Sequence, residues 1–166
     1  SLTVNANLNC GVTTYSTTTG ATPNNPVLPG CPNAVDDDVW FKFTATGTSH
    51  RVKITGGTDS MGVELFSGTC NGLVSIGCLQ GSVGQAEQQF NGLSVGATYF
   101  VRVYTVKSLL YSNFTICVGT PPAPPANDLC ANAISLAVNS NLLCAQIQNG
   151  TTTGGTPSSP AIATCG

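Results

Sequence analysis

Val39-Trp40-Phe41-Lys42-Phe43 alternates, with Val39, Phe41 and Phe43 on one side of an extended chain and Trp40 and Lys42 on the other. A period of two is the signature of a half-buried strand. The same reading extends outward. Arg51-Val52-Lys53-Ile54 turns its charges out and Val52 and Ile54 in. Gly62-Val63-Glu64-Leu65-Phe66, Tyr99-Phe100-Val101-Arg102-Val103-Tyr104 and Phe114-Thr115-Ile116-Cys117-Val118 complete a set of short strands separated by Gly, Asn and Thr clusters. That pattern predicts an all-β chain, an antiparallel β-sandwich of jelly-roll or Ig-like Greek-key type. Gly92-Leu93-Ser94-Val95-Gly96-Ala97-Thr98-Tyr99 reads as a turn feeding a strand. It resembles a tyrosine corner, in which the phenol bonds back to an upstream backbone group. At most one helical turn fits, at residues 127–133, where Asn127 or Asp128 is the candidate cap.

Composition narrows the function classes. Only 7% of the residues are charged, against roughly 25% in an ordinary soluble domain. The net charge is -2 and the five basic residues are scattered singly, so electrostatic capture of nucleic acid or of an anionic membrane has no cationic cluster to work with. No apolar run approaches membrane-spanning length.

The end of the chain repeats its beginning. Ser1-Leu2-Thr3-Val4-Asn5-Ala6-Asn7-Leu8-Asn9-Cys10 returns as Ser135-Leu136-Ala137-Val138-Asn139-Ser140-Asn141-Leu142-Leu143-Cys144. The register then holds through Thr17-Thr18-Thr19-Gly20 and Thr151-Thr152-Thr153-Gly154 to Cys31 and Cys165, with 15 identities over 31 positions. Self-similarity at a fixed period signals an array, and this period is long enough for each repeat to be a whole domain. The expected organisation is a sandwich over residues 1–119, a proline-rich linker over 120–126 and the head of a following repeat over 127–166. Four prolines in the linker favour an extended, semi-rigid spacer.

Eight cysteines and a single histidine argue for disulfides rather than a zinc site, and so for an extracellular setting. Cys10 and Cys31 are spaced as Cys144 and Cys165 are, so pairing within each copy is the simplest arrangement. Cys70 and Cys78 flank a hairpin-like stretch, which leaves Cys117 with Cys130 across the linker.

Several motifs resemble a known group. Pro125-Ala126-Asn127-Asp128-Leu129-Cys130-Ala131-Asn132-Ala133-Ile134 is similar to the opening of secreted repeat modules of Bacteroidota surface proteins. Asp37-Asp38-Val39-Trp40-Phe41-Lys42-Phe43, Leu65-Phe66-Ser67-Gly68-Thr69-Cys70, Gly92-Leu93 with Tyr99, and Phe114-Thr115-Ile116-Cys117-Val118 resemble its later landmarks. These modules are similar to pre-peptidase C-terminal domains, which are jelly-roll-like sandwiches. The resemblance implies secretion, by the type IX route, and display on the surface or release. It does not imply one activity. In the group the Asn-Asp-x-Cys opening precedes its domain, whereas here it lies at 127–130, so the tail is expected to carry a following module's head.

The candidate sites are few. Asp36, Asp37 and Asp38 form the only dense anionic cluster, a set of hard oxygen donors suited to calcium; the plainer reading is a solvated turn. Trp40, out of phase with its apolar neighbours, and Tyr104 are candidates for a sugar-stacking platform, with Tyr15 and Tyr111 as further members, against simple packing. Asp59-Ser60-Met61 makes Ser60 a candidate for O-glycosylation, and the sequons at Asn113 and Asn149 carry little weight in a bacterial protein. His50 has no orienting carboxylate beside it in sequence and reads as a surface strand residue, so the chain is expected not to be an enzyme.

Two functions follow. The first is an extracellular structural protein, a repeat subunit of a filament or adhesive stalk that joins copies of itself head to tail. Its contact residues would be Asn127, Asp128, Leu129, Ala133, Ile134, Leu136, Val138 and Leu142. The alternative is a carbohydrate-binding, lectin-like module of a secreted protein, calcium-dependent if residues 36–38 hold an ion, with surface glycans as partner.

Overall fold

The alternating stretches form strands, and two of them prove to be one. In the computed structural model, which describes residues 1–22, 36–106 and 111–156, the chain divides into two compact units, Ser1–Pro121 and Pro122–Gly166. The first holds β1 (Val4–Asn5), β2 (Thr14–Thr17), β3 (Asp36–Thr44), β4 (Ser49–Thr69), β5 (Gly72–Asn91), β6 (Thr98–Thr105) and β7 (Asn113–Gly119). The stretches at 51–54 and 62–66 both lie in β4. Residues 51–55 pair with β7 and residues 61–66 with β6, while β5 lines the opposite edge of both halves.

Gly56 and Gly57, at φ 83 and 111, let β4 turn between these two partners. A side chain at Gly57 would also press on the Met61 sulfur at 3.0 Å. The seven strands run in the order β1-β7-β4-β6-β3, with β2 added to β7 and β5 to β4. All pairings are antiparallel except β1 with β7. The Leu2 N–H donates to the Lys42 carbonyl of β3 at 2.7 Å, so the head of the chain spans from β7 towards β3 and nearly closes a barrel-like sandwich.

Inside lie Phe43, Val52, Ile54, Met61, Val63, Leu65, Val101, Val103, Phe114, Ile116 and Val118, with Leu2 from the head; Val39 and Phe41 pack against them half-buried. These are the inward faces that the alternation predicts. Each fully buried side chain of this kind contributes about 1.5–3 kcal/mol. The tyrosine corner is present: Tyr99 Oη accepts a hydrogen bond from the Ser94 N–H at 2.8 Å.

His50 is not a surface residue. It is fully buried, edge-on to Phe43, and its Nε2 accepts the N–H groups of Thr46 and Gly47 at 3.0 and 3.1 Å. It holds the turn between β3 and β4, which no neighbour in sequence reveals.

The disulfides also differ from the expected set. Cys10 bonds to Cys117, 107 positions away, and not to Cys31; Cys117 is therefore not available to Cys130. The reason is topological. The segment carrying Cys10 sits between β1 and β2, and both pair with β7, which carries Cys117.

Cys70 is a free, exposed thiol and Cys78 is disulfide-bonded elsewhere. Cys70 lies in the β4–β5 turn, whereas Cys78 stands opposite Glu64, well down the hairpin. At about 3.3 Å of rise per residue the two are beyond the ~7 Å Cα separation that a disulfide tolerates. Cys130 and Cys144 are exposed thiols, and the proposed Cys144–Cys165 bond falls on Cys165, outside the described residues.

The second unit has a single 3-10 turn, Cys130–Asn132, with Leu129 at its N-cap position and no side-chain cap. Asp128 does not cap it. Its carboxylate accepts the N–H of Thr156 at 2.9 Å and the Thr156 hydroxyl, which hold its pKa below the ordinary carboxylate value. Among the described residues no helix is long and apolar enough to cross a membrane.

Candidate functional site

The sheet of β3, β6 and the second half of β4 has a second face, opposite the core. Pairing sets Trp40 of β3 beside Arg102 of β6, and Arg102 beside Glu64 of β4. Tyr104 follows two positions along β6, over Gly62, where any Cβ would collide with the phenol ring. Glycine at 62 is what lets the tyrosine lie down on the sheet.

β3 shifts register between Asp36 and Val39, with Asp37 at φ 43, and Asp38 lies on this same face. There its carboxylate meets Arg102 Nε in a buried ion pair. The guanidinium carbon lies 5.6 Å from the Trp40 ring centroid and 5.9 Å from that of Tyr104. Trp40 also leans on Phe66, centroid to centroid 5.3 Å.

Arg102, Glu64 and Tyr104 are at most 2% exposed and Asp38 is 6%; Trp40 is half-buried. Burial pushes the Glu64 pKa up, and the Ser75 hydroxyl donating at 2.8 Å and the Arg102 charge offset it in part. Burial and then the Glu64 charge push Tyr104 up to about 12, against the opposing pull of Arg102. Two donors in this face have no hydrogen-bond partner, Trp40 Nε1 and Tyr104 Oη. Such a group inside a protein costs about 1–3 kcal/mol, and both atoms are shielded from solvent, so a ligand oxygen meets them only where a covering side chain moves aside.

The structure thus brings together Trp40 and Tyr104 and joins Asp38 to them. Of the three aspartates proposed for calcium, Asp37 is half-buried and Asp38 is held by Arg102, and the Asp36 side chain lies outside the described residues. Among the described residues no three His, Cys, Asp or Glu side chains converge on a metal position. Tyr15 and Tyr111 remain exposed, at 69% and 61%, without ring contact to Trp40.

Ser60 is half-buried in β4 between buried Asp59 and Met61. Arg102 was not anticipated as a member of the site. The signal was there in Arg102, a single charge inside the otherwise apolar run from Tyr99 to Tyr104, because a strand buried on both faces reads as continuously apolar.

In the second unit, Leu129, Ile134, Leu136, Val138 and Leu142 are exposed, Val138 at 97% and Leu142 at 99%. Asn127 and Ala133 are also exposed, and Asp128 is half-buried.

A family model described as galactose binding domain-like, of the T9SS-associated group, matches residues 2–116. Among solved structures, the crystal structure of the CBM36-1 domain of a multidomain xylanase from the hindgut metagenome of Trinervitermes trinervoides aligns at 13% identity. It covers 68% of this chain and 100% of that one, at a TM-score of 0.36, too low to transfer any position. No curated protein matches the chain.

Proposed function

We propose, for a chain that belongs to the T9SS-associated family of galactose-binding-domain-like modules, that it binds carbohydrate without transforming it. The family's tie to type IX secretion implies a secreted or cell-surface protein of the Bacteroidota. The match is to galactose-binding-like domains and lends nothing to a pre-peptidase affinity or to self-assembly into filaments.

The observation that carries the reading is the row Trp40–Arg102–Glu64, with Tyr104 beside it and two unpaired donors among its members. An aromatic ring suits the C–H face of a pyranose, and a planar guanidinium or carboxylate suits a pair of neighbouring hydroxyls. Small-ligand sites are of this kind, mostly apolar with a few convergent polar groups. Trp40 is the member still open to solvent and forms the point of entry. With Asp38 held by Arg102, the charges of the row are largely internal, and the chemistry fits a neutral glycan.

Calorimetric titration with galactose-, glucose- and xylose-based oligosaccharides tests this. Saturable binding is expected for the parent, with Trp40→Ala weakening it at least tenfold while the circular dichroism stays unchanged. Equal affinity in parent and variant would remove the site from this face, and no binding to any neutral glycan would end the reading.

A further inference from the structure

Among the described residues, the tail of the chain keeps the shape of the head while its apolar side chains stay exposed. In the head, Asn5 closes a loop onto Val12, seven positions on, its amide donating to the Val12 carbonyl at 2.9 Å and its oxygen accepting the Val12 N–H at 2.8 Å. Asn139 does the same with Gln146, at 2.9 and 2.8 Å. The Asn9 N–H bonds to Asn7 Oδ1 and the Leu143 N–H to Asn141 Oδ1. The Thr19 N–H bonds to Thr17 Oγ1 and the Thr153 N–H to Thr151 Oγ1. Cys10 and Cys144 share a left-handed backbone, φ 54 and 47, that few residues other than glycine adopt.

The two segments differ in what surrounds them. Leu2 is 6% exposed and Leu136 is 70%. Val4 is half-buried and paired with Val118 of β7, whereas Val138 is 97% exposed. The amide of Asn5 also reaches the Val118 carbonyl at 3.0 Å, and Cys10 is bonded to Cys117 while Cys144 is a free thiol.

We infer that residues 135–156 are the first edge of a further β-sandwich built like the Ser1–Pro121 unit and lying downstream in the same polypeptide. Leu136, Val138 and Asn139 dock on its counterpart of β7, and Cys144 bonds to the cysteine on that strand. The occupant is fixed by what covers the same residues in the head. A second copy of this chain does not qualify, because its β7 edge already carries its own Val4, Asn5 and Cys10. The bond forms by thiol–disulfide exchange. Cys144 and its partner together give up two protons and two electrons to an external disulfide of the thiol-oxidase class, which leaves as a dithiol, as Cys10 and Cys117 require.

Two experiments decide it. A non-reduced digest of the native protein from the cell surface is expected to show Cys144 linked to a cysteine about 107 positions downstream, the separation of Cys10 from Cys117. A free Cys144, a bond to Cys130, or a native polypeptide without a downstream sandwich would overturn the inference. In the second, residues 1–20 of this chain are replaced by the sequence of 135–154. The chimera is expected to fold and to form the bond between positions 10 and 117. Failure to form it would show that the tail is not an interchangeable head, whatever the outcome with glycans.

Discussion

The sheet of β3, β6 and the second half of β4 has two faces that are almost equally dry and held by opposite means. On one, Phe43, Val63, Leu65, Val101 and Val103 are withdrawn from water and stabilise the sandwich by burial alone. On the other, Asp38, Glu64, Arg102 and Tyr104 are withdrawn nearly as far, although three of them are acids or bases of the charged kind and the fourth carries a hydroxyl without a partner. Apolar burial tolerates local loss, because each side chain contributes separately. A buried ionic cluster does not, because every charge in it depends on another. The first face accounts for the fold, and the second, which stability alone does not require, is where recognition is to be sought.

The sharpest way to break the contrast is Arg102→Ala. It takes the guanidinium from both Asp38 and Glu64 and leaves buried carboxylates uncompensated, with an expected loss of about 3–5 kcal/mol in urea denaturation. A loss under about 1 kcal/mol would mean that the face opens to water readily and is not held by the ion pair. Leu65→Ala on the opposite face, fully buried in the core, is expected to cost roughly 3 kcal/mol by transfer and cavity terms. It should also leave glycan affinity intact in the molecules still folded. Loss of affinity there would show that the two faces are not independent.

A smaller effect comes through pH. Burial lowers the His50 pKa from 6.5, a hydrogen bond to the Gly119 carbonyl offsetting it in part. A histidine whose folded pKa is depressed binds fewer protons when folded, so its stability contribution is present above 6.5 and is lost as pH falls through the lowered value. Glu64, raised from 4.5, acts in the other direction, losing stability as pH rises from 4.5 through its raised value. Thermal melts from pH 4 to 8 should therefore show a shallow acid limb. His50→Gln is expected to flatten it and Glu64→Gln to steepen it. An acid limb unchanged in His50→Gln would move its origin elsewhere.

Much of the fold was legible because alternation is a physical consequence of a sheet with one face buried. Val39, Phe41, Phe43, Val52 and Ile54 all point where the period places them. β5 was not, since Gly72–Asn91 carries few large apolar residues and is for the most part half-exposed; pairing with β4 makes it a strand. The continuity of β4 was hidden by Gly56 and Gly57, which read as a loop and act as a bend. The disulfides were misread because spacing along the chain says nothing of a head that crosses to the last strand of its sandwich. Of the candidate site, the aromatic residues were visible as types, but nothing in the alternation marks Arg102 and Glu64 as buried charges that share one face. Asp38 shares the side of Trp40 by alternation, but its burial against an arginine of β6 is not legible in the sequence.

The smallest substitution separates structure from recognition most cleanly. Tyr104→Phe removes only a hydroxyl that is buried and unpartnered, so the ring still lies over Gly62 and the guanidinium keeps its neighbours. Deleting a polar group that makes no bond relieves a desolvation cost, and stability is expected to stay level or rise by about 1 kcal/mol. If that hydroxyl is there to meet a sugar, glycan affinity should fall severalfold in the same variant. Denaturation and calorimetry on one preparation read both quantities. A variant that loses stability instead would mean the hydroxyl is bonded within the fold and the face is closed. A variant that gains stability and binds as before would leave Trp40 to carry recognition without Tyr104.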